Sequence, residues 1–117
     1  MSAIGSISQS GLLYASRCLS TSADNVANME TDGFEAQREL AIDKVQGGRP
    51  AGVDSVTAPT GTPHAVIQRG DAEVLASNTD LISETAEQMG AVQAFRANLQ
   101  AFRADEEMTR SLLDIKA

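Results

Sequence analysis

Asp24-Asn25-Val26-Ala27-Asn28-Met29-Glu30-Thr31-Asp32-Gly33-Phe34 lies where a long apolar-patterned segment stops and a Gly-, Pro- and Thr-rich one begins. Asn25 and Asn28 share one helix face, because a spacing of three returns to nearly the same azimuth. Both side chains are able to satisfy carbonyls left over at a helix end. Asn28 and Gly33 tolerate a left-handed conformation, and Thr31 and Asp32 form turns. The stretch therefore reads as a helix exit, and it divides the chain into a helix before it and a connector after it.

Upstream, helical periodicity runs from about Ala3 to Asn28. One row is Ile4, Ile7, Gly11, Tyr14 and Cys18, and a second is Leu12, Ala15, Leu19, Ala23 and Val26. Together they make an apolar face wider than a two-stranded seam. Six serines, and glycines at 5 and 11, weaken this helix in isolation, each glycine by about 1 kcal/mol relative to alanine. The first ten residues are expected to stay disordered until something packs on them.

Downstream, weak alternation predicts a short strand over about Ala36 to Val45, with Leu40 and Ile42 on one side and Glu39, Ala41 and Asp43 on the other. Gly47-Gly48-Arg49-Pro50-Ala51-Gly52 reads as a loop. Val53 to Thr57 and Ala65 to Gln68 read as short strands around Pro59-Thr60-Gly61-Thr62-Pro63. Gln46 to Asn78 is expected to hold little regular structure, which marks a functional or flexible connection.

The last helix is expected from about Asp80 to Ile115. Asn78, Thr79 or Asp80 caps it, and Glu84 suits its first turn. Its apolar row is Leu81, Met89, Val92, Phe95, Leu99, Phe102 and then Leu112 or Leu113. It spans roughly 50 Å, at about 1.5 Å per residue. The expected fold is mainly α: long N- and C-terminal helices pairing as an antiparallel hairpin, with a short irregular or β middle. As one domain it divides into residues 1–35, a connector 36–78, and a terminal helix 79–117.

Composition restricts the function. The chain of 117 residues has no Trp, one Tyr and three Phe, so a lone monomer would have a thin core that neighbouring subunits complete. A net charge of −7, with its Lys and Arg spread singly, argues against nucleic-acid or membrane-surface binding. The lone Cys18 has no disulfide partner in the chain and reads as a small buried hydrophobe. Met1 to Ser10 carries no Lys or Arg and Leu12 to Ala15 is too short an apolar run for a cleavable signal. No stretch approaches the length of a membrane span.

No catalytic, cofactor-binding or metal-binding residues are expected. His64 stands alone in the loop region without a second ligand at usable spacing. Asp105-Glu106-Glu107 reads as a solvated or intersubunit face, and Gly47-Gly48-Arg49-Pro50 lacks the ending of a phosphate loop. The chain is read as a non-enzyme without a small-molecule substrate.

Asn25-Val26-Ala27-Asn28-Met29-Glu30-Thr31-Asp32-Gly33-Phe34 resembles the Asn-(Ile/Val/Leu)-Ala-Asn-x-x-Thr-x-Gly-(Phe/Tyr) motif of bacterial flagellar axial proteins, the rod and hook subunits. Asn25, Ala27, Asn28, Thr31, Gly33 and Phe34 carry the match. Asn78-Thr79-Asp80-Leu81, Glu84, Met89, Ala91 and Phe95-Arg96-Ala97-Asn98-Leu99 are similar to the terminal helix of the proximal-rod members, the C type before the B type.

The resemblance implies a structural subunit of the flagellar basal-body rod, serving motility. The terminal helices would pair as a coiled coil lining a self-assembled helical tube, through Ile4, Ile7, Leu12, Leu19, Val26, Leu81, Met89, Val92, Phe95, Leu99, Phe102 and Leu113. Its partners would be itself, other rod subunits and the flagellar type III export apparatus, and it would reach the periplasm-spanning rod from the cytoplasm without a cleavable signal. The alternative is a cytoplasmic helical-hairpin adaptor or chaperone-like module of the export system.

Overall fold

A computed structural model describes residues 3–116. The element order is α1 (Ala3–Ala27), β1 (Gln37–Gln46), β2 (Arg49–Pro59), β3 (Val66–Arg69), β4 (Ala72–Leu75) and α2 (Leu81–Lys116). Both terminal helices lie where periodicity predicts them. Met1, Ser2 and Ala117 fall outside the described residues, and with them part of the disorder expected for the first ten. From Ala3 onward that segment is helix, and Ser10 already holds the sheet: its hydroxyl accepts from the Val53 amide at 3.1 Å.

The expected short, irregular middle is overturned. It consists of two β-hairpins, one of them long. β1 and β2 pair antiparallel over 10 and 11 residues, from Gln37 opposite Pro59 to Gln46 opposite Arg49. Gly47 and Gly48 form the two-residue turn with φ of 61° and 76°, which matches the strand twist. Arg49 to Gly52, expected as loop, is strand. Pro50 is tolerated there because the register shifts between Lys44 and Val45 and because β2 pairs with β1 alone. β3 pairs with β4, Val66 opposite Leu75 and Arg69 opposite Ala72, and β4 is a strand that alternation did not reveal.

The helices run antiparallel, and small and polar residues bring them together. Gly11 lies so close to α2 that a Cβ there would overlap the Asn98 side chain. On α1 the buried positions include Ser8, Gly11, Ala15, Ser22 and Asn25. On α2 the buried Glu84, Ala91 and Asp105 fall on the seven-residue repeat that also contains Asn98. Among the described residues the buried apolar side chains are alanines, at 15, 36 and 91. The large apolar residues sit on the flanks: Leu19, Val92 and Phe95 line one shallow hollow with Arg96 and remain exposed. Leu12, Val26, Leu99 and Phe102 are half-buried, while Ile4, Ile7, Leu81, Met89 and Leu113 are exposed.

Counting outward from Gly11 beside Asn98, Ala3 lies level with about Glu106. The last turns of α2, with Met108, Leu112, Leu113 and Ile115 exposed, therefore run past the described start of α1. The molecule measures 77 × 27 × 14 Å, with a radius of gyration of 19.7 Å. A compact domain of this length has about 13 Å. No helix among the described residues is long and apolar enough to cross a membrane.

Candidate functional site

The helix exit is the best-organised polar region of the molecule. Asn28 ends α1: its amide donates to the Asp24 carbonyl at 3.1 Å and its Nδ2 to the same oxygen at 2.9 Å. Thr31 closes the next turn, its amide on the Asn28 carbonyl at 3.0 Å and its Oγ1 on Asn28 Oδ1 at 3.2 Å. Phe34, half-buried, donates its amide to the Thr31 carbonyl. Gly33 has φ of 74°, the left-handed conformation that turns the chain back. Its amide reaches the Leu75 carbonyl at 2.6 Å, so β4 is fastened to the exit.

Asn25 lies one turn back and is 1% exposed, the largest fully buried side chain. Its Nδ2 donates to the Gln37 carbonyl at 2.6 Å and to Glu84 Oε1 at 2.9 Å, and its Oδ1 accepts from the Gln37 amide at 3.0 Å. Asn78 does the matching work from the other side. Its Oδ1 accepts from the Ala36 amide at 2.6 Å and its Nδ2 donates to the Thr62 carbonyl at 2.8 Å. The Ala36 carbonyl accepts from Thr60 at 3.0 Å. Two asparagines from opposite halves of the chain thus grip two consecutive residues where the connector leaves the helices. No buried side-chain polar atom among the described residues lacks a partner, as burial demands.

The C-terminal helix joins the same network. Asp80 caps α2, accepting from the Ile82 amide at 3.1 Å and from Ser83 at 2.9 Å. Thr79 Oγ1 donates to the Asn25 carbonyl at 3.1 Å, and Ser22 Oγ to the Glu84 carbonyl at 3.1 Å. Glu84 lies in the first turn of α2 as expected and is buried there as Asn25's partner. Ala27 is exposed and Val26 half-buried.

The first hairpin is fixed by half-buried and exposed polar contacts, the second by exposed ones. Glu39 Oε1 accepts from Thr21 at 2.8 Å and Thr57 at 2.7 Å. Burial pushes its carboxyl up, but bonds from Thr57, Thr21 and Ser55 outweigh this and hold it below the usual glutamate value. Alternation then leaves Leu40 and Val56, paired on the opposite sheet face, exposed. Arg17 pairs with Asp54 at 3.0 Å, and Arg69 forks onto both oxygens of Asp32 at 3.0 and 3.1 Å. Asp54, through the Ser55 amide and Arg17, and Asp32, through Arg69, both sit below the usual aspartate value.

The remaining candidates have local roles. His64 Nδ1 lies 2.7 Å from the Ala76 carbonyl and braces the second hairpin. Cys18 is half-buried beside Tyr14; burial raises its thiol, and burial, then Cys18, pushes the Tyr14 hydroxyl up to about 12. A groove of about 240 Å³ between α1, β1 and α2 is lined by Thr21, Ser22, Glu39, Asp80, Glu84 and Glu87 among others. Among the described residues no group of three His, Cys, Asp or Glu side chains is arranged to hold a metal ion. Asn78, Glu84 and Ser22 are the site residues whose role sequence reasoning missed. For Glu84 the available signal was the seven-residue repeat with Ala91, Asn98 and Asp105; Asn78 and Ser22 stand outside it. Compared with known proteins, the chain matches no family model and no curated protein.

Proposed function

We propose that the chain is a structural subunit of the bacterial flagellar rod that self-assembles through its paired terminal helices. The observation that carries this reading is the inversion of its packing: alanines are buried, while Leu19, Val92, Phe95 and the apolar end of α2 are exposed. Exposed apolar residues in such numbers call for a covering surface. The motif resemblance supplies the identity of the assembly, and the motif residues have a coherent mechanical role: they fix the angle at which the hairpins leave the helices. Its partners are further copies, other rod subunits and the export apparatus. Catalysis, a cofactor, nucleic acid and a small-molecule substrate have no part in the proposal.

Fractionation tests it. A rod subunit co-purifies with basal bodies, and Phe95→Asp or Leu99→Asp abolishes motility by burying an unpaired charge at a subunit contact. Retention of the whole chain in the cytosol overturns the reading in favour of the export-system adaptor, and normal swimming of both variants overturns the assignment of the contact.

A further inference from the structure

Asp32-Gly33 is the only place in the chain where glycine follows aspartate or asparagine. An aspartate in that position is chemically labile. The glycine amide nitrogen attacks the aspartate Cγ, a C–N bond forms, and the carboxyl oxygen leaves as water with the amide proton. Water then reopens the cyclic imide. Opening at the former backbone carbonyl leaves a β-linked aspartate, with the chain routed through Cγ and the old carbonyl carbon carrying the carboxylate. Water is lost and regained, so no other reactant is needed. Glycine favours the attack because it has no Cβ to obstruct it.

Packing does not shield the site. Asp32 and Gly33 are both exposed, and nothing lies within 4 Å of where a Cβ on Gly33 would stand. The restraint comes from the second hairpin, which holds both reacting groups. At the end of β4, the Leu75 carbonyl accepts from the Gly33 amide at 2.6 Å, engaging the proton that the nitrogen must lose to attack. At the end of β3, Arg69 donates from Nε to Asp32 Oδ2 at 3.1 Å and from Nη2 to Oδ1 at 3.0 Å. This fork fixes the carboxylate and favours its ionised form, whereas the departing oxygen leaves from the neutral acid.

The geometry points to Asp32-Gly33 as a latent isomerisation site that the docked second hairpin keeps unreactive. Rearrangement proceeds from molecules in which the hairpin has opened locally. It inserts an extra carbon into the backbone at the turn, which moves Gly33 off the Leu75 carbonyl and the carboxylate out of the Arg69 fork. An opened hairpin that has rearranged therefore does not redock as before. The inference needs no second copy and stands apart from the rod reading.

Isoaspartate formation at neutral pH tests this, followed in the full chain by enzymatic carboxyl methylation and located by peptide mapping. The samples are native wild type, wild type unfolded in guanidinium, R69A and D32E, with circular dichroism to verify that the variants fold. The unfolded chain is expected to accumulate isoaspartate at residue 32, and the native chain much less. Folded R69A accumulates it several-fold faster than native wild type. D32E abolishes the signal, because its longer side chain closes a larger ring. Native wild type that rearranges as fast as the unfolded chain, R69A that is no faster than wild type, or a signal that persists in D32E overturns the inference. Should R69A fail to fold, R69K keeps the charge without the fork and carries the same expectation.

Discussion

Asn25 holds Gln37 by both ends of one residue's backbone, donating to its carbonyl at 2.6 Å and accepting from its amide at 3.0 Å. The side-chain amide thereby imitates a neighbouring strand, and it does so from inside a helix. Asn25→Ala leaves the Gln37 groups and the Glu84 carboxylate without their partner. A loss of about 2–4 kcal/mol is expected, given about 1–3 kcal/mol per orphaned buried group. Asn25→Asp adds a second carboxylate beside Glu84, so its penalty should exceed that of alanine at neutral pH and shrink as one carboxyl protonates. Urea denaturation at two pH values checks both; a cost below about 1 kcal/mol for Asn25→Ala refutes the clasp.

The two helices and the exit between them were legible because a period near 3.6 and the Asn, Thr and Gly positions are local signals. The connector was less so. Arg49, Pro50 and Gly52 look like loop, yet a strand paired on one side and carrying a register shift accepts them. The seam between the helices misled for another reason. Rows of Leu, Val and Phe normally mark the face turned inward, whereas here Gly11, Ala15, Ser22 and Asn25 meet Ala91, Asn98 and Glu84. A burial-based reading of Leu19 and Phe95 assumes a core inside one chain, and this chain leaves those residues exposed. Asn78 is one of three candidate caps in the sequence, and nothing local reveals that its side-chain oxygen accepts from the Ala36 amide.

Gly11→Ala separates helix propensity from packing. Alanine alone improves the helix by about 1 kcal/mol. At this site its Cβ meets the Asn98 side chain, and overpacking of this kind costs about 1–3 kcal/mol. The net effect should be a lower melting temperature. Asn98→Ala, which removes the obstructing amide, should convert the same substitution into a gain. Equal effects of Gly11→Ala in both backgrounds would show that the helices do not approach here.

At Gly33 the penalty is conformational instead. Nothing lies within 4 Å of the position a Cβ would take, yet φ is 74°. Gly33→Ala should destabilise by about 1–2 kcal/mol, and Gly33→Asn by less, because asparagine visits the left-handed region. If alanine and asparagine prove equally tolerated, the turn is free to adopt another conformation.

Arg69 and Asp32 make an exposed pair, so Arg69→Ala should leave global stability nearly unchanged. Its effect is local. The pair and the Gly33 amide on Leu75 are two fastenings between the second hairpin and the helix exit. Loss of the first should speed hydrogen exchange at the Gly33 amide while exchange in α1 stays unchanged. Unaltered exchange at Gly33 would leave the ion pair without a structural role.

Acid stability follows from Glu39, with Asp54 and Asp32 adding in the same direction. Each carboxyl is held below its ordinary value in the folded chain. The unfolded chain therefore binds protons at a higher pH than the folded one, and stability rises with pH across that window. The contribution is complete above the unfolded values, near about pH 4, and disappears as pH falls through the lower folded values. Melting temperature measured from neutral pH downward should hold steady and then drop. Thr57→Val removes one of the two hydroxyls on Glu39 Oε1, so it should lower stability at neutral pH and flatten the acid limb. A variant that melts lower but keeps the wild-type pH slope would show that Glu39 is not what the acid titrates.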